Sequence, residues 1–134
     1  PYGAITKGEA GKTLADISDM APDCIGFSDD GNGVQSAEIM EKAMYQIAKL
    51  DRLLSAHCED ERLLIPGGCV HDGVAARRYN VPGISSASEW KPIERDLALV
   101  AETGVRYHVC HISARESVAF IRKAKKEGLP VSCE

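Results

Sequence analysis

Apolar and polar positions along the chain follow two periods. Four short segments, 24–30, 53–59, 105–113 and 130–134, gather strand-forming residues and end abruptly in polar ones, which predicts β-strands. Between them the spacing becomes helical. Ser36 is placed to cap a helix whose apolar stripe is Ile39, Ala43, Ile47 and Leu50, widened by Met40 and Met44. A second stripe, Ile93, Leu97, Val100 and Ala101, takes Pro92 in its first turn and closes at Thr103-Gly104, where glycine supplies a left-handed residue. For a third helix, Ser113-Ala114-Arg115-Glu116 reads as a capping box, followed by Val118, Ile121 and Ala124 and stopped by Gly128. A fainter helix is expected to start near Thr13, its N-cap, and to include Leu14, Ile17 and Met20.

Strands and helices therefore alternate, and no two-residue hairpin turn joins neighbouring strands. That pattern predicts an α/β fold of parallel strands joined by helical crossovers. Residues 60–87, rich in Gly, Pro and Ser, interrupt the alternation as a long excursion with at most one short helix, over 70–79. A chain of 134 residues with 44% hydrophobic content carries one core at most, so residues 1–134 are read as a single domain. With 16 basic and 20 acidic residues the net charge is −4, and no basic block is present, which argues against a nucleic-acid or membrane partner. Five scattered cysteines without a CxxC suit a reducing compartment, so a cytoplasmic location is expected. The start at Pro1 and the end inside a strand lead us to expect a piece of a longer chain.

The polar ends of successive strands are chemically alike: Phe27-Ser28-Asp29-Asp30-Gly31, Ala56-His57-Cys58-Glu59-Asp60 and Cys110-His111-Ile112-Ser113. In a parallel barrel such ends converge on one face, so Asp30, His57 and His111 can meet there. Imidazole nitrogen and carboxylate oxygen are what divalent zinc takes, and spacings of 27 and then 54 residues suit ligands on separate strands. Strand alternation then sends Cys58 and Cys110 toward the helix layer as core residues, and His108 to the Cys110 side. Competing structural readings stand beside this one. Asp29-Asp30-Gly31 also reads as a turn, and a lone histidine at a strand end is ordinarily a hydrogen-bonding residue. Gly31-Asn32-Gly33 is a weak phosphate-loop pattern, His71-Asp72 reads as a solvated pair, Lys7 as a surface lysine, and no nucleophile elbow occurs.

These stretches, taken with Gly3-Ala4-Ile5-Thr6-Lys7-Gly8, Val81-Pro82-Gly83-Ile84, Glu94-Arg95-Asp96, His108-Val109 and Glu116-Ser117, resemble the dihydroorotases of the amidohydrolase superfamily. The resemblance is to the class with an aspartate at the bridging-metal position. It implies part of a (β/α)8 TIM barrel, about four consecutive βα units. It also implies a binuclear zinc centre, two Zn2+ per complete site, that interconverts dihydroorotate and N-carbamoyl-aspartate in pyrimidine synthesis. Asp30 would be the bridging carboxylate, and His57 and His111 ligands of the second metal. Zinc chemistry suits such a reaction, because the ion brings the pKa of bound water to about 7 and polarises the amide carbonyl.

The family's His-x-His pair, its substrate-gripping arginine and its general-base aspartate have no counterpart here, since no His-x-His occurs in the chain and no strand follows Glu134. The resemblance therefore implies a central piece, inactive alone, with the base outside it. Implied partners are the small-molecule substrate and, in the parent protein, a second copy or an aspartate carbamoyltransferase. Two other readings stay open: a hydantoinase, dihydropyrimidinase or allantoinase, expected to carry lysine where Asp30 sits, and a non-catalytic dihydroorotase-like subunit supporting the carbamoyltransferase.

Overall fold

The computed structural model describes residues 1–134. In chain order the elements are β1 (Tyr2–Gly3), α1 (Ile17–Met20), β2 (Gly26–Phe27), α2 (Ala37–Lys49), β3 (Leu53–Ala56), β4 (Val70–His71), α3 (Val74–Tyr79), β5 (Gly83–Ile84), α4 (Ala87–Thr103), β6 (Arg106–Val109), α5 (Arg115–Lys126) and β7 (Val131–Cys133). Five strands form one sheet in the order β1-β2-β3-β6-β7, every pair parallel. The chain thus makes four βα units and a fifth strand, one strand more than the hydrophobic pattern shows. The extra strand, β1, is two residues long, too short to display an alternation.

Phe27, Leu54, Tyr107 and Val131 stand in register across β2, β3, β6 and β7 and form the floor of the core. Against them pack Met40, Ala43, Met44 and Ile47 of α2, Ile93, Leu97 and Val100 of α4, and Ile121 and Ala124 of α5. Of the predicted stripes, Met40, Ala43, Met44, Ile47, Ile93, Leu97, Val100, Ile121 and Ala124 are buried, whereas Ile39, Leu50 and Val118 are half-buried and Ala101 is exposed. The Ser36 hydroxyl accepts the Ile39 N–H at 3.3 Å, as expected of an N-cap. No helix is long and apolar enough to cross a membrane.

Three local expectations are corrected. Leu14 lies in an antiparallel bridge with Thr6, and α1 begins only at Ile17, so Thr13 caps nothing. The excursion holds a parallel ribbon of β4 and β5 as well as α3, so the expected helix over 70–79 is confined to Val74–Tyr79. Helix α4 starts at Ala87, which puts Pro92 inside the helix rather than in its first turn. Proline has no N–H for the carbonyl four residues back, that of Ser88. The freed Ser88 carbonyl instead accepts the Asp60 N–H at 2.7 Å, so the proline fastens the loop after β3 to α4.

Candidate metal centre

The three sequence-predicted ligands come together at the ends of β2, β3 and β6. One donor atom from each of Asp30, His57 and His111 lies within 4.8 Å of the others. His57 Nδ1 faces His111 Nε2 at 3.0 Å and lies 3.7 Å from Asp30 Oδ1. Two ligands on one tetrahedral zinc lie about 3.3 Å apart, so the two imidazoles are spaced as ligands of a shared ion. His57 Nε2, the nitrogen turned away, is buried without a hydrogen-bond partner, and Glu59 Oε2 stands 3.7 Å from it. A metal-bound histidine commonly gives its other N–H to a carboxylate, and Glu59 is placed for that. The residues present therefore fit a zinc-class ion.

Asp29 and Asp30 divide the work. Asp29 is buried and accepts the Ile5 N–H at 2.7 Å, the Thr6 N–H at 3.0 Å and the Thr6 hydroxyl, tying the segment after β1 to the end of β2. Its oxygens are taken. Asp30 is exposed and turns to His57, so of the two neighbouring carboxylates it is Asp30 that faces the histidines. Gly33 closes the same loop at φ +50°, and a Cβ there would meet the His57 carbonyl oxygen at 2.8 Å. Gly31-Asn32-Gly33 is thus a close packing of backbone on backbone rather than a phosphate loop.

His111 has φ +40°, in the left-handed region that β-carbons disfavour. This turn comes after β6 and puts His111 out of phase with the strand, which overturns one prediction. Cys58 does face the helix layer, buried with its Sγ 3.3 Å from the Tyr107 hydroxyl. Cys110 does not: its Sγ lies 3.0 Å from Ser55 Oγ, on the opposite face of the sheet with His108.

The loop bearing His111 is held by a residue that sequence reasoning passed over. The expected capping box does not form, since Ala114 is the N-cap of α5 and no side chain of its own caps that helix. Glu89 of α4 replaces it, accepting the N–H groups of Ser113 at 3.0 Å and Ala114 at 2.9 Å and the hydroxyls of Ser113 and Ser117. Burial raises the Glu89 pKa, but these four donors outweigh it and leave it below the usual glutamate value. Sequence offers no local sign of a cap delivered from another helix.

Arg95 and Asp96 hold the other two loops. Arg95 donates to the carbonyls of Val34 at 2.9 Å and Gln35 at 3.1 Å, beyond Asp30, and pairs with Asp96 at 2.7 Å. Asp96 accepts the Tyr107 hydroxyl at 2.7 Å, and that hydroxyl touches Cys58, the neighbour of His57. Burial pushes the Asp96 carboxyl up despite Arg95, and raises the Tyr107 phenol and the Cys58 thiol as well. Beside the centre opens a cavity of about 700 Å³ whose walls include His57, Glu59, Glu89 and His111 on one side and Cys69 and His71 of the excursion on the other.

A family described as Dihydro-orotase-like matches residues 1–117. The chain belongs to this family. It is 52% identical to a dihydroorotase of Brevibacillus brevis over 135 aligned positions, covering 100% of this chain and 32% of that protein. A dihydroorotase of Fusobacterium nucleatum is 48% identical, with 100% and 31% covered. The chain thus spans about a third of the length of the curated relatives it matches. Among solved structures, the L-hydantoinase (dihydropyrimidinase) of Arthrobacter aurescens aligns with a TM-score of 0.71 over 98% of this chain and 31% of its own, at 23% identity. That likeness establishes the fold: this chain is a stretch of a TIM-barrel wall. The dihydroorotase-like chain carries its three ligand-type residues on successive βα units of that wall.

Proposed function

We propose that the protein carrying this segment is a zinc-dependent dihydroorotase, which interconverts dihydroorotate plus water and N-carbamoyl-aspartate in cytoplasmic pyrimidine synthesis. The observation that carries this reading is the meeting of Asp30, His57 and His111 at three strand ends, within a chain half identical to named dihydroorotases. Asp30 would be the carboxylate ligand of the zinc centre, and His57 and His111 its imidazole ligands. Bound zinc supplies a Lewis acid for the amide carbonyl and makes hydroxide available near neutral pH.

The chain's own residues do the positioning. His57 presents Nδ1 to the centre while Glu59 stands 3.7 Å from Nε2, the place of the carboxylate that orients a metal-bound histidine. Glu89 holds the His111 loop, and the Arg95–Asp96 pair holds the loops of Asp30 and His57, so three ligands on separate strands keep one geometry. The cavity beside them admits a small cyclic amide.

The test is ring opening of dihydroorotate by the full-length protein, followed by ultraviolet absorbance together with zinc analysis. Asp30→Ala, His57→Ala and His111→Ala are each expected to lose zinc and at least about 100-fold in activity. Normal turnover with full zinc content in both histidine variants refutes the ligand assignment. Turnover of hydantoin with dihydroorotate untouched overturns the substrate.

A further inference from the structure

The three candidate ligands are not held against one another in the same way. The β3–β6 ladder runs to the pair Ala56–Val109, which brings His57 and His111 to the end of one ladder. The β2–β3 ladder stops earlier, at Phe27–Leu54, three residues before Asp30 and three before His57. Beyond it no backbone hydrogen bond joins residues 28–36 to residues 55–61. A side chain makes the connection instead. Gln35 Nε2 donates to the Glu59 carbonyl at 2.8 Å and to the Gly33 carbonyl at 3.3 Å, and its Oε1 accepts the Glu61 N–H at 3.1 Å. Both donors and the oxygen of the amide are engaged, so its orientation is fixed: turned over, its oxygen would face two carbonyls.

This clamp has a fixed base and a cleared path. Arg95 donates to the carbonyls of Gln35 at 3.1 Å and Val34 at 2.9 Å, so the backbone behind the amide is held from α4. Gly33 leaves room in front of it, because a Cβ there would stand 2.8 Å from the His57 carbonyl oxygen, 3.3 Å from that of Glu59 and 3.4 Å from Gln35 Nε2. We propose that Gln35 is a positioning residue, whose side-chain amide replaces the missing ladder and sets Asp30 against His57 at the 3.7 Å observed between them. Its hydrogen bonds go to neither ligand side chain, so it acts through the backbone of the two loops. The inference rests on the reading of Asp30 as a metal ligand and adds what places that ligand. Without the clamp the imidazoles keep their ladder, while Asp30 has to be ordered at the moment of binding, which weakens the hold on the ion.

Metal affinity tests this without turnover, so the result does not depend on which cyclic amide the enzyme opens. Full-length protein freed of metal is titrated with Co2+, and the visible absorption of the bound ion gives the affinity. Gln35→Met keeps the length of the side chain and removes its hydrogen bonds, and is expected to weaken Co2+ binding by about tenfold or more. Asp30→Ala weakens it further. In the Asp30→Ala background the same Gln35→Met change is expected to add no more than about twofold, since a residue acting through Asp30 has nothing left to position. A Gln35→Met protein that binds Co2+ like the unsubstituted one overturns the proposal. So does a full loss repeated in the Asp30→Ala background, which assigns Gln35 to the fold or to another ligand. Unchanged binding in Asp30→Ala overturns the ligand reading and the proposal with it, whereas weakened binding there beside unchanged binding in Gln35→Met sinks the proposal alone. Circular dichroism checks the fold of each variant. If Gln35→Met is unfolded, Gln35→Glu decides: it keeps the acceptor for Glu61 and loses both donors, and unchanged Co2+ affinity in that variant overturns the clamp.

Discussion

On the helix side of the sheet, Phe27, Leu54, Tyr107 and Val131 stand in one row sealed from water, whereas on the other side Tyr2, Arg106, His108 and Ser132 remain open or half open. The closed side is held by burial, which is non-directional and tolerates many arrangements of apolar residues. The open side and the strand ends are held by individual hydrogen bonds, each with one partner. The closed side nevertheless contains one polar island, Arg95–Asp96–Tyr107–Cys58, and that island connects the core to the candidate metal centre. Stability and ligand geometry are therefore coupled through a few named residues rather than through the core as a whole.

The strongest way to break the contrast is to remove Asp96. Arg95 is then left half-buried without its carboxylate, and loss of one partner of a buried pair costs about 3–5 kcal/mol. Asp96→Ala is expected to lower the unfolding free energy by that amount and to weaken zinc binding with it, because the loops of Asp30 and His57 lose a common anchor. Urea denaturation with metal analysis checks both. A loss of stability with zinc affinity unchanged would show that the island serves the fold alone.

The closed side was the legible one. The stripes of α2, α4 and α5 emerge from spacing because burial imposes a period on the sequence, and the candidate ligands His57 and His111 come to notice because each follows a strand, while Asp30 is picked out only by the family resemblance. What escaped were tertiary substitutions for local rules. Ser113 and Glu116 have the spacing of a capping box, yet Glu89 supplies the cap from another helix. Pro92 looks like a helix start, yet its missing N–H is answered by Asp60 across a loop. Cys110 looks inward by alternation, yet the left-handed backbone of His111 puts the two neighbours out of phase. In each case the deciding partner is more than twenty residues away or is a dihedral angle, and neither leaves a mark in local composition.

Glu89 sharpens the comparison at intermediate size. Its folded pKa lies below the unfolded value, so it contributes stability that is present above about pH 4.3 and is lost as the pH falls through the lower, folded value. Glu89→Gln is expected to destabilise by about 1 kcal/mol at neutral pH, a charged acceptor at a partly exposed helix end. Below that window both proteins carry a neutral side chain and the difference should shrink toward zero. Denaturation midpoints across the acid range check the slope, and a difference that persists unchanged at low pH would assign the effect to shape rather than charge.

The smallest effect falls on His111. Its φ of +40° places strain where the ligand is needed, and asparagine visits this region more readily than alanine. His111→Asn is therefore expected to be more stable than His111→Ala by about 1 kcal/mol, although both have lost the imidazole. Thermal melts of the two metal-free variants measure this directly. Equal melting would mean the backbone relaxes once the histidine is gone, and the strain would then belong to the ligand rather than to the loop. A surviving difference locates it in the loop, where Glu89 at Ser113 and Ala114 and the backbone ties of Glu134 hold the turn from both sides. The strand end is then shaped for its ligand before any metal arrives, which is the arrangement that keeps a three-strand centre in register.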